Sequence, residues 1–532
     1  MRPETLIGID QSVVSARLST REWDVTTHQR AARPQFFLGQ VLAILLIGLV
    51  LRMWNLGGAS LWTDEVLTAL RAQTTLDHSL NSLFRAGNQT PLYFMSLRLV
   101  PADSDMLLRL PSALMGLVGI ALFMVAAVRL YSNYDLALGA GLLLSVSPYH
   151  VLLSRTARPY ALIFALSLVM SATFLMILRG NRSRGVWIAF AASSMVGYIT
   201  HYTLFALPAT QVILLAIVAR NDRPLLRRWA VMQTIAVLPV LIWLALLSQQ
   251  TIAVGPEWVP VPAPRDLLLT LWNMTLGYSG VWKWYLVPGV MLVSLGLLTG
   301  VATIVLQWWA ERENLYWLLL MGLSLAVTYT ISATIVSFYV DRYFMMALPA
   351  VLFVLLYGFA QWPRWLRLGA VTIVVATSMY TVLFSFHSGD FTRADWRGAA
   401  SFVEARWQPG DAIVAERDNA REAFERYFEH DGVAPGADVI LLAGIDTHVE
   451  PDIPQRVWVL YRNPIEDVHR QGAMPAFDPF KRGLSATGDW LAERREYVSE
   501  LRAFRGVTVL LLETQPMLQA SEMPALSEAS VP

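Results

Sequence analysis

Two adjacent carboxylates, Asp64 and Glu65, follow Gly57-Gly58-Ala59-Ser60-Leu61-Trp62-Thr63 directly after the first strongly apolar run of the chain. A central Asp costs roughly 2.5–3.5 kcal/mol in hydrocarbon, so acids at that boundary mark an ion, proton or substrate site. Neighbouring side chains on a helix point about 100° apart, so the two do not face one reacting atom. One would act as a base while the other holds a backbone amide, a cation or the loop itself. The competing reading is local: Thr63 or Asp64 caps a helix whose dipole favours the Glu behind it.

The remaining chemistry-bearing groups are cationic or aromatic. Ser154-Arg155-Thr156-Ala157-Arg158-Pro159-Tyr160 offers two guanidiniums that could clamp a phosphate bidentately or snorkel to lipid headgroups. His201-Tyr202 could contribute a metal ligand, although a lone His without a second ligand at helical spacing is usually structural. Asp341-Arg342-Tyr343 opens an apolar run, where internal pairing is the simplest explanation. Residues 55–105, with Trp54 just ahead of them, hold Trp62, Asn88, Gln89 and Thr90-Pro91-Leu92-Tyr93-Phe94 in a connection too long to be a simple loop. Within it, Leu92-Tyr93-Phe94-Met95 has the make-up of an interfacial segment. Gly255-Pro256-Glu257-Trp258 through Pro264 is a stiff stretch suited to a lid or a rigid surface turn.

These groups need a scaffold, and the composition says which kind. The chain has 532 residues, 55% hydrophobic and 15% charged, with a mean hydropathy of +0.46, which places it among polytopic membrane proteins. A net charge of +1 gives no basic face for nucleic acid, and the absence of cysteine removes disulfides, thiolate metal sites and a thiol nucleophile. Apolar runs able to cross about 30 Å of hydrocarbon fall near 37–54, 106–130, 136–153, 160–178, 186–200, 203–219, 229–248, 286–308, 316–337, 343–360 and 369–386. Eleven spans are therefore expected, after a cytoplasmic tail over 1–36.

Arginines at 179, 182, 184, 220, 223, 227, 228, 364 and 367 collect in loops on one side when the spans alternate, and that side is expected to be the cytoplasm. Residues 55–105, 154–159, 201–202, 249–285 and 338–342 then share the opposite face. With an odd number of spans the C-terminal region joins them. From Ser388 the composition changes: segments starting at Asp411, Asp438 and Arg456 are strand-like, and 395–407 and 420–430 have helical spacing, which predicts a small α/β domain over 387–514. Residues 515–532 read as a disordered tail.

Taken in order, Leu61-Trp62-Thr63-Asp64-Glu65, then Asn88-Gln89-Thr90-Pro91-Leu92-Tyr93-Phe94 with Leu108-Arg109-Leu110-Pro111-Ser112-Ala113, then Ser154 through Leu162, resemble GT-C membrane glycosyltransferases related to protein O-mannosyltransferases and to the lipid A aminoarabinose transferase. The resemblance is carried by roughly residues 50–165. It implies a multi-pass plasma-membrane enzyme with a GT-C-like helical domain and an extracytoplasmic C-terminal domain. The implied reaction moves a sugar from a polyprenyl-phosphate donor to a lipid, glycan or protein acceptor on the outer face. It further implies Asp64, with Glu65, at the reaction centre, and Arg155, Arg158, Tyr160 and Arg342 on the donor phosphate. Trp62, Asn88, Gln89, Tyr93, His201 and Tyr202 would line the cleft. Relatives often carry His at the place of Asn88 and an acid near Thr156; this chain has neither, which speaks against the divalent metal that some relatives use, and no cofactor is implied with certainty. The competing classes are a flippase or transporter of lipid-linked sugars, which would show inverted repeats, and a non-catalytic envelope subunit.

Overall fold

A computed structural model describes residues 34–87, 89–248, 259–277, 284–387, 394–416, 418–428, 439–441, 456–462, 478–480 and 486–513. Asn88, Glu257, the tail over 1–33 and the segment 515–532 lie outside the described residues. The membrane part runs through α1 (Pro34–Met53), the helices of the 55–105 connection, α2 (Thr63–Gln73), α3 (Leu76–Ala86) and α4 (Pro91–Ser96), then α5 (Asp105–Tyr131), α6 (Tyr134–Val146), α7 (Pro148–Ser154), α8 (Tyr160–Leu178), α9 (Arg184–Tyr198), α10 (Ala206–Val218), α11 (Arg223–Leu247), α12 (Pro264–Thr275), α13 (Val287–Leu306), α14 (Leu315–Thr334), α15 (Leu348–Ala360) and α16 (Arg364–His387). The starts obey local rules. Ser104, Asn133, Ser147 and Asp222 accept the backbone N–H of the residue three positions on, and Pro occupies the first turn of α4, α7 and α12.

Helices stand at every place where a span is expected, yet among the described residues seven are long and apolar enough to cross a membrane, or eight with the bent pair α6–α7. The 15 residues of α9 rise only about 22 Å, short of the hydrocarbon thickness. Around 136–153 the expected straight span is broken by 60°, because Pro148 supplies no N–H and disfavours a helical Ser147. The carbonyls freed at the break are taken by Arg52, whose fully buried guanidinium lies 3.3 Å from the Leu144 oxygen and 3.2 Å from that of Ser145, and contacts His150 Nδ1 at 2.7 Å. At the centre of the bundle α15 packs so closely on α13 that a Cβ at Gly358 would strike the carbonyl of Gly296. Small residues permit this approach in an apolar solvent.

The C-terminal part contains a sheet of order β2-β1-β3-β5-β4, with β1 (Ala412–Ala415) parallel to β2 (Val439–Leu441) and β3 (Arg456–Arg462). Three strands are expected from the sequence; β4 (Val498–Phe504) and β5 (Val507–Glu513) add a hairpin turned at Gly506, which has φ +71°. Helices α17 (Trp396–Glu404), α18 (Asp418–Glu425) and α19 (Ala486–Glu493) flank it. This part is tied to the 55–105 connection. Asp105 receives Arg426 at 2.7 Å on one oxygen, and Arg397 at 2.8 Å and the Tyr427 hydroxyl at 2.6 Å on the other. The Leu61 N–H in turn donates to Tyr427 at 2.7 Å, and Leu61, Val66, Trp396, Phe424 and Trp458 share one buried apolar cluster. Asp105→Ala leaves two guanidiniums without their acceptor, so limited proteolysis should release the C-terminal part faster than from wild type; equal cleavage rates would show that the apolar contact alone holds it.

Candidate functional site

Asp64 occupies the second position of α2, with Glu65 behind it in the third, so the first turn of this helix carries both acids. Their surroundings differ completely. Glu65 is fully buried and ion-paired to Arg109 of α5, with Oε1 2.9 Å from Nε and Oε2 2.7 Å from Nη2. Its Oε1 also accepts the Ala157 N–H at 2.7 Å and its Oε2 the Trp62 N–H at 3.4 Å. The other donors of Arg109 reach the carbonyls of Leu56, Ala59 and Ser60 at 3.0, 2.8 and 3.0 Å. This pair therefore stitches α2, α5, the 55–60 turn and the 155–159 turn together. In contrast to the catalytic expectation for it, Glu65 has no open side from which to meet a substrate.

Asp64 keeps 28% of its side chain exposed and faces cations. Its Oδ2 lies 3.5 Å from Arg342 Nη2 and 3.9 Å from Arg158 Nη2, close enough for ion pairing and too far for a strong hydrogen bond. Burial alone would push the carboxyl up, but the guanidiniums of Arg158, Arg342, Arg462 and Arg71 together hold it below its usual value. Arg462 ends β3, so the C-terminal part contributes a charge to this cluster. Arg342 lies over the Trp62 ring at 5.0 Å, and Arg158 over the Phe94 ring at 5.2 Å.

The aromatic and amide groups hold this cluster in shape. Tyr93 meets Ser112 at 2.7 Å and the Ser112 hydroxyl donates to the Arg158 carbonyl at 3.1 Å, fixing the turn that carries the guanidinium. Gln89 accepts from Arg71 Nη1 at 2.6 Å, and its carbonyl takes the Trp243 indole N–H at 3.3 Å. Among the described residues the buried hydroxyls of Tyr160 and Tyr202, the Trp62 indole N–H and Arg158 Nε have no hydrogen-bond partner. Buried donors left this way are what a polar ligand would satisfy.

The sequence-expected residues separate accordingly. Asp64, Arg158 and Arg342 converge, with His201 beside them, its ring 5.5 Å from that of Tyr343. Burial, then the charges of Arg158 and Arg342, push His201 down to about 3, which keeps its ring neutral, while its Nδ1 accepts the Thr203 N–H at 3.3 Å. Arg155 does not reach the cluster. Its guanidinium binds the Leu51 and Arg52 carbonyls at 2.8 and 3.3 Å and lies over Phe386, closing the end of α1. No group of three His, Asp or Glu able to hold a metal occurs among the described residues. A divalent cation at Asp64 would also meet two guanidiniums within 4 Å of that carboxylate, so the donor set does not fit one. Arg109, Arg71 and Arg462 were not expected at the site. An Arg inside an apolar run such as 106–130 needs an internal partner, which is the one signal that could have pointed to Arg109.

A multi-pass helical membrane domain with an α/β part packed against its 55–105 connection is the architecture of this chain. Among solved structures, the chain resembles ArnT from Cupriavidus metallidurans bound to undecaprenyl phosphate, at a TM-score of 0.53 and 14% identity over 89% of this chain and 98% of that one. The same enzyme in the apo state matches with a TM-score of 0.53, 13% identity and the same coverage. No protein-family model and no curated protein matches the chain. At such identity the likeness concerns the fold, and the site must be argued from its own residues.

Removing one member of the Glu65–Arg109 pair strands a buried charge. Arg109→Met should therefore cost about 3–5 kcal/mol, read as a large fall in melting temperature of the detergent-solubilised protein. Pairing it with Glu65→Gln should recover much of that loss. A double variant no more stable than Arg109→Met would contradict the assignment.

Proposed function

We propose that the protein transfers a sugar from a polyprenyl-phosphate donor to an acceptor hydroxyl at the end of the bundle where Asp64 lies. The observation that carries this reading is a single, partly exposed carboxylate set among the guanidiniums of Arg158, Arg342, Arg462 and Arg71. In the reaction the acceptor oxygen bonds to the anomeric carbon, the bond from that carbon to the phosphate oxygen breaks, and the acceptor proton passes to Asp64. The departing phosphate goes from one negative charge to two. Cations meet that requirement directly, and no acid is needed to protonate the leaving group. The fold shared with an ArnT bound to undecaprenyl phosphate supports a lipid-phosphate ligand.

Arg158 and Arg342 are assigned to the donor phosphate, with the unpartnered Tyr160 hydroxyl and Arg158 Nε as further donors. Trp62, Gln89, Tyr93, His201 and Tyr202 shape the cleft, with His201 serving as a neutral hydrogen-bonding group. Glu65 is assigned to bracing, since both its oxygens are taken. The positive-inside rule, applied to the arginine-rich loops at the other end of the bundle, supports an extracytoplasmic location for the site and for the C-terminal part. The acceptor would then enter between the outer loop and that part, which presents Arg462.

One consequence concerns the base. In the free protein the guanidiniums hold the Asp64 carboxyl low, which keeps it ionised but weakly basic. A donor phosphate seated between Arg158 and Arg342 offsets their charge, so burial then acts on Asp64 with less opposition and its proton affinity rises. The acid limb of kcat/KM, which reports the free enzyme, should lie below the ordinary Asp value of about 3.9, and that of kcat, which reports the complex, should lie higher. Coincident limbs would remove the coupling. Asp64→Asn should lower turnover by roughly 10²–10⁴-fold, measured as polyprenyl phosphate released from a lipid-linked sugar, while donor binding persists. Wild-type turnover by this variant would end the assignment.

A further inference from the structure

At the end of the bundle opposite Asp64, the turns at 179–183, 219–222 and 307–313 surround a cavity of about 620 Å³. Its charged wall comprises Arg182, Arg220, Asp222, Arg312 and Glu313. The turns are tied in place before anything binds. Arg182 pairs with Asp222 at 2.5 Å, joining the first turn to the second, and Arg179 pairs with Glu313 at 3.0 Å, joining the first to the third. Arg179 also lies over the Tyr131 ring at 5.2 Å.

Both acids of the wall are thus already matched to an arginine. Among the described residues Arg220 and Arg312 form no ion pair, so the cavity presents an excess of positive charge. Its apolar lining comprises Leu178, Ile217, Val218 and Leu225. Ile217 is 43% exposed, and Leu306, at the end of α13, is 74% exposed, so the cavity adjoins hydrocarbon-facing side chains. Trp308 and Trp309 are exposed beside it, with Arg312 over the Trp308 ring at 5.6 Å. Exposed indoles next to arginines at the end of an apolar helix mark the headgroup level of a bilayer.

We propose that this cavity is a binding site for the headgroup of an anionic phospholipid, with the phosphate between Arg220 and Arg312 and the acyl chains along Ile217 and Leu306. An anion alone would use the arginines, but it would leave the apolar wall and the adjoining α13 side chains uncovered. An anionic lipid uses both walls. Basic pockets between membrane helices bind such headgroups, each Lys or Arg near the surface contributing about 1 kcal/mol. No residue of this cavity belongs to the Asp64 cluster, so the inference stands apart from the proposed reaction.

The test uses the full chain purified in detergent and titrated with phosphatidylglycerol or phosphatidylcholine, with bound lipid counted by native mass spectrometry. Wild type should retain phosphatidylglycerol and exchange phosphatidylcholine freely. Arg220→Gln with Arg312→Gln should weaken phosphatidylglycerol retention by roughly 30-fold, about 5-fold for each charge, while Asp64→Asn leaves it unchanged. Equal retention by the double variant would overturn the site. Competition by inorganic phosphate as effective as that by the lipid would overturn the lipid and leave a simple anion pocket.

Discussion

The buried pair between Glu65 and Arg109 fixes everything else at this end of the molecule. Arg109 projects from a long apolar helix into a place without water, where a lone guanidinium would be very costly. It is tolerated because a carboxylate meets it in a two-pronged contact and three carbonyls of the 55–60 turn take its remaining donors. The same carboxylate holds the N–H of Ala157, next to Arg158. Through one ion pair, the first turn of the helix carrying Asp64 and the turn carrying Arg158 are set against each other. Asp64 can be partly exposed and poorly hydrogen-bonded because its neighbour does the structural task.

That division leaves a site with charge to spare. Four guanidiniums act on the Asp64 carboxyl, drawn from α2, the 155–159 turn, the 3-10 helix Asp341–Ala347 and the last residue of β3. Like charges gathered in a half-buried space repel one another, and an incoming anion would relieve that repulsion. Rigid anchoring keeps the cations from relaxing outward: Tyr93 and Ser112 hold the Arg158 carbonyl, and Trp62 lies under Arg342. Asp105, with its three partners from the C-terminal part, keeps Arg462 within range. The α/β part thereby adds a positive charge to the surroundings of Asp64.

Much of the membrane architecture was legible because hydrocarbon imposes length and apolarity, and helices do stand at each expected place. Where the reading failed, one residue usually decided. Pro148 breaks the span expected over 136–153, and the freed carbonyls are recovered by Arg52, far away in sequence. Arg155 and Arg158 looked equivalent, since both stand in one short turn; only the tertiary structure sends the first to the end of α1 and the second to Asp64. Likewise, the adjacency of Asp64 and Glu65 told that they must diverge, not which one would be sealed. Arg462 could not be found from sequence at all, because nothing local to β3 records that its end comes within electrostatic range of Asp64.

The central claim is that Arg158 and Arg342 hold a lipid phosphate beside an ionised Asp64. It is tested most directly by native mass spectrometry of the protein in lipid nanodiscs supplied with polyprenyl phosphate. Wild type and Asp64→Asn should both carry the lipid, and Arg158→Gln with Arg342→Gln should lose it. Undiminished polyprenyl phosphate on the double arginine variant would contradict the account.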